Sequence, residues 1–137
     1  MICLDTNTII VALNDPTSRA RLRINAAIAS ASPVLISVIV LFELRFGIAK
    51  STRRDYNSRR LDDFLDGPFD VLPFDAEDAA EAGDIRATLE KAGMPIGPYD
   101  LLIAAQARRR DALLVTANSR EFARVPGLRS EDWSLPA

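Results

Sequence analysis

Ile2-Cys3-Leu4-Asp5-Thr6-Asn7 opens the chain as an apolar run that meets a carboxylate and then turns polar. An uninterrupted apolar segment of this kind suits a strand buried on both faces, as in a parallel sheet covered by helices. In open α/β sheets ligands bind just outside the carboxyl ends of such strands, so Asp5 stands at a rim where chemistry is done. An Asx-turn, or a cap for the next helix, accounts for a lone Asp equally well. Only partners elsewhere in the chain decide between the two.

Composition bounds what those partners can be. With 137 residues the chain is expected to form a single domain, 1–137, large enough to fold without a disulfide or structural metal. Its 48% hydrophobic and 7% aromatic content are those of a globular protein. There is no histidine, which removes Ser/His/Asp triads, His-ligated zinc and histidine general bases. Cys3 is the only cysteine; inside an apolar strand it reads as core and fits a reducing cytoplasm. The amino terminus carries no basic region, so no signal peptide is expected, and the stretch from Pro33 to Phe42 is far too short to cross a bilayer. Polar chemistry is left to carboxylates.

Charge is distributed unevenly around a net of −2. Arg45, Lys50, Arg53, Arg54, Arg59 and Arg60 oppose Asp55 alone, whereas from Asp62 to Glu90 ten acids oppose only Arg86. A polyanion can approach the first segment and is repelled by the second, although a solvated helix face is the usual origin of a charge run.

Along the chain, Asp15-Pro16 predicts a helix start, with a helix to about Ala31 that packs through Leu22, Ala26 and Ala29. Pro33 to Ile36 reads as a second strand, and Ser37 as the cap of a helix from Val38 to Ile48. That helix is apolar nearly all round, so Glu43 in its middle requires an ion-pair partner, such as Arg86, or a wet cleft. A helix carrying Tyr56, Leu61, Phe64 and Leu65 ends at Gly67-Pro68, before a third strand from Val71 to Phe74. Asp75 and Asp78 form a capping box for a long helix closed by Gly93, with Ala79, Ala82 and Gly83 available for close packing. Pro98 begins the next helix with Asp100 in its first turn, and Arg108-Arg109-Arg110 finish it. Leu113 to Thr116 is a fourth strand, and residues 125–133 make an edge strand and tail.

Strands separated by helices imply parallel crossovers and a three-layer α/β/α sandwich with a central, mainly parallel sheet. All strand ends then share one rim. Asp5, Glu43, Asp100 and the pair Asn118 and Glu121 converge there, and four acidic positions without histidine or lysine call for a cation. Hard Mg²⁺ or Mn²⁺, bound through carboxylates and a substrate phosphate, suits such a cluster and phosphodiester chemistry.

Leu4-Asp5-Thr6-Asn7, Glu43 within Val40–Gly47, Tyr99-Asp100-Leu101-Leu102-Ile103-Ala104-Ala105 and Thr116-Ala117-Asn118-Ser119-Arg120-Glu121-Phe122 together resemble PIN-domain proteins. More closely, the chain is similar to the VapC toxins of bacterial VapBC toxin–antitoxin modules, whose closing pattern resembles Arg124-Val125-Pro126-Gly127-Leu128 and Glu131-Asp132-Trp133. The resemblance implies a Mg²⁺- or Mn²⁺-dependent endoribonuclease, homodimeric, held inactive by a VapB-like antitoxin that threads a segment into the acidic cleft. By match, Asp5, Glu43 and Asp100 take the main acidic positions, and Thr6, Asn7 and Thr116 orient them. Relatives often carry Asp where this chain has Asn118, so either Glu121 supplies the fourth charge or the amide serves the site. Asp5 and Asp100 are expected to hold one metal ion against a phosphate oxygen, while Glu43 orients or deprotonates the attacking water. Arg45, Lys50, Arg53 and Arg54 are expected to hold the RNA backbone.

Other classes fit less well. A haloacid-dehalogenase-like phosphatase requires a second Asp where this chain has Asn7, and a receiver module requires a late lysine, whereas none follows Lys91. A degenerate PIN module that binds RNA or protein without catalysis is the remaining alternative, and Asn118 is its argument.

Overall fold

The computed structural model describes residues 1–136. Five strands, β1 (Ile2–Leu4), β2 (Val34–Ser37), β3 (Phe69–Leu72), β4 (Leu113–Val115) and β5 (Arg129–Glu131), form an all-parallel sheet in the order β3-β2-β1-β4-β5. Helices α1 (Thr6–Asn14), α2 (Arg19–Ala29), α3 (Val38–Ala49), α4 (Arg54–Leu65), α5 (Ala76–Lys91), α6 (Pro98–Arg109) and α7 (Ser119–Phe122) flank it, giving the expected three layers. β1 lies at the centre, with Cys3 opposite both Leu35 and Leu114, and its three residues are buried as a two-sided strand requires. The chain steps to β2 on one side of β1 and later to β4 on the other, so the strand order switches direction beside β1. A crevice outside the carboxyl ends of β1 and β4 follows from that topology.

The expected element boundaries shift where local hydrogen bonds compete. Asp15 does not start a helix: its carboxylate accepts both the N–H and the hydroxyl of Thr17, and α2 begins after Ser18, whose hydroxyl accepts the Arg21 N–H. Leu22, Ala26 and Ala29 are not its packed stripe; Leu22 is 56% exposed. Ala20, Ile24 and Ala27 are buried instead, and the guanidinium groups of Arg21 and Arg23 lie 5.1 and 5.0 Å from the Phe64 and Trp133 rings. β3 is an edge strand that stops at Leu72, because Pro73 has no N–H with which to continue the ladder.

α5 carries the expected capping box between Asp75 and Asp78 and is closed by Gly93 in the left-handed region (φ 70°). Of its small residues only Ala82 is buried; Ala79 and Gly83 face solvent, because the packed stripe runs through Asp78, Ala82, Ile85 and Leu89. Asp78 is fully buried and accepts hydrogen bonds from Arg109 (2.6 Å), Arg110 (2.9 Å) and Gln106 Nε2 (3.2 Å). Burial raises the Asp78 carboxyl, but the bonds from Arg110, the Asp75 N–H, Arg109 and Gln106 outweigh it and hold the pKa at about 2. Gln106, itself buried in α6, also donates to Pro73 O at 3.1 Å and accepts the Ser37 hydroxyl. One side chain thus ties α6 to the ends of β2 and β3 and to the start of α5.

A candidate acidic active site at the carboxyl rim of the sheet

Asp5 follows the last residue of β1, and its N–H donates to Val115 O, which extends the β1–β4 pairing to the rim. As N-cap of α1 it accepts the Thr6 N–H at Oδ1 (2.8 Å), and the buried Thr116 hydroxyl donates to Oδ2 (2.7 Å). Serving as a cap and standing among the rim acids are therefore compatible for one carboxylate. Asp5 is 5% exposed, and burial raises its pKa against the opposing hydrogen bonds from Thr116 and Thr6.

Glu43 projects from the middle of α3 and accepts the Thr6 hydroxyl at Oε1 (2.8 Å). The ion pair considered for it does not form, since Arg86 bonds Glu90, and the nearby Arg45 bonds Asp62 instead. Thr6 thus touches two acids, Asp5 through its N–H and Glu43 through its hydroxyl. Asn7 is exposed on the first turn of α1.

Asp100 sits in the first turn of α6, after Pro98 at the helix start. Burial, and then the charges of Asp5, Glu121 and Glu43, push its carboxyl up to about 6. The fields of the other three acids therefore meet at Asp100. Glu121 in α7 accepts the Gly97 N–H at Oε1 (2.8 Å) and Asn118 Nδ2 at Oε2 (2.7 Å), and these two bonds lower its pKa. Asn118 also donates its N–H to Thr116 Oγ1 (3.0 Å). Between the two open candidates for the fourth position, the carboxylate of Glu121 reaches Asp100, and the amide of Asn118 holds Glu121.

Sequence reasoning missed Gly97 as a participant. Its N–H fixes Glu121, and a β-carbon there would lie 3.5 Å from Asp100 Oδ2 and 3.9 Å from Glu121 Oε1. The only signal was a Gly-Pro pair immediately before an acid at a helix start. It also missed the lip: Phe42 and Tyr99, each the residue before one of the rim acids, are half-exposed and pack with ring centroids 5.4 Å apart and planes tilted by 57°. A groove of about 240 Å³ lies between α1, α3 and α4, lined by Ile10, Leu13, Glu43, Gly47, Asn57 and Arg60.

Among the described residues no three of these side chains stand as a ready ligand cage. The donor set is nonetheless all oxygen: carboxylates, threonine hydroxyls and the Asn118 amide. Cys3 is sequestered in β1, where burial pushes its thiol up to about 11. Hard donors with mutually repelling charge fit a divalent cation of the Mg²⁺ or Mn²⁺ type. Of the four residues expected to hold RNA, Lys50, Arg53 and Arg54 lie around the α3–α4 turn, whereas Arg45 is bonded to Asp62 (2.7 Å) and Ser58.

The sequence and the fold both resemble those of known proteins. Residues 2–128 match the PIN domain. A tRNA(fMet)-specific endonuclease VapC of Shigella flexneri is 41% identical over 131 residues, 96% of each chain. The crystal structure of VapBC2 from Rickettsia felis bound to a promoter DNA fragment superposes with a TM-score of 0.90 at 37% identity, covering 97% of this chain and 99% of that one. That of DNA-bound VapBC from Salmonella typhimurium gives 0.88 at 40% identity, covering 96% and 97%. With the carboxylates of four separate elements brought to one rim of a parallel sheet, and with this likeness running nearly end to end, the chain belongs to the PIN-domain family and, within it, to the VapC ribonucleases.

Proposed function

We propose that this protein is a metal-dependent endoribonuclease and the toxin of a toxin–antitoxin pair. The observation that carries the reading is Asp100, whose carboxyl is lifted to about 6 by burial and by the charges of Asp5, Glu121 and Glu43. A divalent cation relieves that repulsion. Asp5 and Asp100 would hold Mg²⁺ or Mn²⁺, with Glu43 and Glu121 completing the negative field. Bound there, the ion would neutralise charge on the scissile phosphate and acidify an attacking water.

The chain's own residues do the positioning. Thr116 and the Thr6 N–H engage one oxygen each of Asp5, so that carboxylate is oriented before any ligand arrives. The Thr6 hydroxyl occupies Oε1 of Glu43 and leaves Oε2 to accept the proton of the attacking water. Asn118 and Gly97 hold Glu121 against Asp100. The names of the relatives, endonuclease and ribonuclease, support RNA as substrate, and the VapBC structures support an antitoxin partner. The apolar groove beside Glu43 suits an antitoxin segment, and the Phe42–Tyr99 lip suits a second copy in a homodimer.

The test is RNA cleavage by purified protein freed of any bound antitoxin. Cleavage is expected with Mg²⁺ or Mn²⁺, none in chelator, and none from Asp5→Asn. A folded wild type that binds RNA but cleaves with neither metal is the degenerate binding module.

A further inference from the structure

The corner joining α3 to α4 has a composition that the acidic site does not use. Lys50, Arg53, Arg54, Arg59 and Arg60 make no ion pair among the described residues, whereas Arg108, Arg109 and Arg110 at the end of α6 all do. The only acid among residues 45–60 is Asp55. Two half-exposed aromatic rings stand among these cations. The Arg53 guanidinium lies 4.0 Å from the Tyr56 ring centroid and that of Arg60 5.4 Å from it, while Lys50 Nζ lies 4.9 Å from the Phe46 ring. Arg60 is fixed in place by Leu13 O (2.5 Å) and Asn14 Oδ1 (2.9 Å). Beside it an open concavity of about 530 Å³ is lined by Arg53, Arg54, Tyr56, Arg59 and the single acid Asp55, with Ser51 and Thr52, so cations outnumber the acid three to one.

We propose that this corner is a dock for single-stranded RNA, in which a base stacks on the Tyr56–Arg53 pair while Lys50, Arg54 and Arg59 hold the flanking phosphates. The proposal rests on the ribonuclease reading above and deepens it. Surplus positive charge attracts any polyanion, but planar guanidinium and phenol faces reward only a base already out of its duplex. The corner is continuous with the acidic site. Lys50 follows Glu43 by seven residues, which places it on the same side of the helix and about 10 Å further along the axis. A strand crossing the Asp100 cluster thus passes beside Glu43 and Gly47 before reaching the aromatic pair.

The experiment measures binding without turnover: full-length protein in chelator, a fluorescent single-stranded RNA oligonucleotide, the same sequence as a duplex, and a poly-glutamate competitor. Tyr56 is exposed, so its variants fold, and a melting curve checks this. Expected is preference for the single strand, about tenfold weaker binding by Tyr56→Ala, and near-wild-type binding by Tyr56→Phe. Replacing Arg54 and Arg59 together by Ala should lower the slope of log affinity against log salt by about 1.4. Unchanged affinity in Tyr56→Ala, equal binding of duplex, or displacement by poly-glutamate as effective as by RNA overturns the dock. Adding Mg²⁺ or Mn²⁺ afterwards separates the two claims. Binding with these signatures but no cleavage leaves the dock standing and removes the nuclease, whereas cleavage with normal binding by Tyr56→Ala removes the dock alone.

Discussion

Asp100 and Glu121 converge on Gly97, where a β-carbon would lie 3.5 Å from Asp100 Oδ2 and 3.9 Å from Glu121 Oε1, and their carboxyls are shifted in opposite directions, Asp100 up and Glu121 down. The asymmetry has local causes. Glu121 is held ionised by Asn118 Nδ2 and the Gly97 N–H, whereas Asp100 is half-buried and faces three like charges. Two neighbouring carboxyls are thus pulled apart in pKa by the different partners that the fold gives each of them.

Asp100 should therefore weaken the metal-free protein at neutral pH. A carboxyl raised to about 6 costs stability above that pH, and the cost fades as pH falls toward its ordinary 3.8. Asp100→Asn is expected to melt higher than wild type in chelator, less about 0.3 to 1 kcal/mol for the lost helix-start charge. Saturating Mg²⁺, at roughly 100 times its dissociation constant, should add about 2.7 kcal/mol to wild type and much less to the variant. Thermal melts with and without Mg²⁺ check this; a variant that melts lower in chelator and gains normally from Mg²⁺ makes Asp100 a helix cap.

Glu121→Gln should reduce RNA cleavage more than Asn118→Ala does. The first change removes a charge beside Asp100; the second removes one 2.7 Å bond that orients it, a loss of about tenfold on the scale of supporting residues at metal sites. Initial rates with Mg²⁺ decide, and the reverse order assigns the fourth position to the amide.

Asp78→Asn should destabilise the fold by about 3 kcal/mol, because it leaves Arg109 and Arg110 facing a neutral group in a buried site. The pH dependence has a definite sign. With a folded pKa of about 2 against an ordinary 3.8, the wild-type advantage is complete above 3.8 and disappears as pH falls toward 2. Urea midpoints of the two proteins should converge across that window.

Gly47→Leu should raise stability, since glycine within a helix costs about 1 kcal/mol relative to alanine and a β-carbon here meets nothing within 4 Å. The leucine projects into the groove beside Glu43. RNA cleavage assayed with and without antitoxin should show reduced inhibition, with stability as the control.

The parallel sheet and the placing of Asp5, Glu43 and Asp100 at its rim were legible in the sequence, because each acid sits on an element with a strong local start signal: a buried strand before Asp5, a Ser37 cap opening the helix of Glu43, Pro98 opening that of Asp100. What was illegible depends on competition between neighbours. Leu22 looked like core, yet the opposite side of α2, with Ala20, Ile24 and Ala27, is the one that packs. The choice between Asn118 and Glu121 turns on α7, a single turn that brings Glu121 to the Gly97 N–H 24 residues away. Gln106 read as one more residue of a packed helix, and only its partners on three other elements reveal the tie it makes.

The bond from Thr116 to Asp5 spans 111 residues and joins the first strand to the fourth. During synthesis β1 leaves the ribosome early, but the partner that orients Asp5 follows only after roughly 5 to 20 s at ordinary elongation rates. No nascent chain shorter than that carries a finished site.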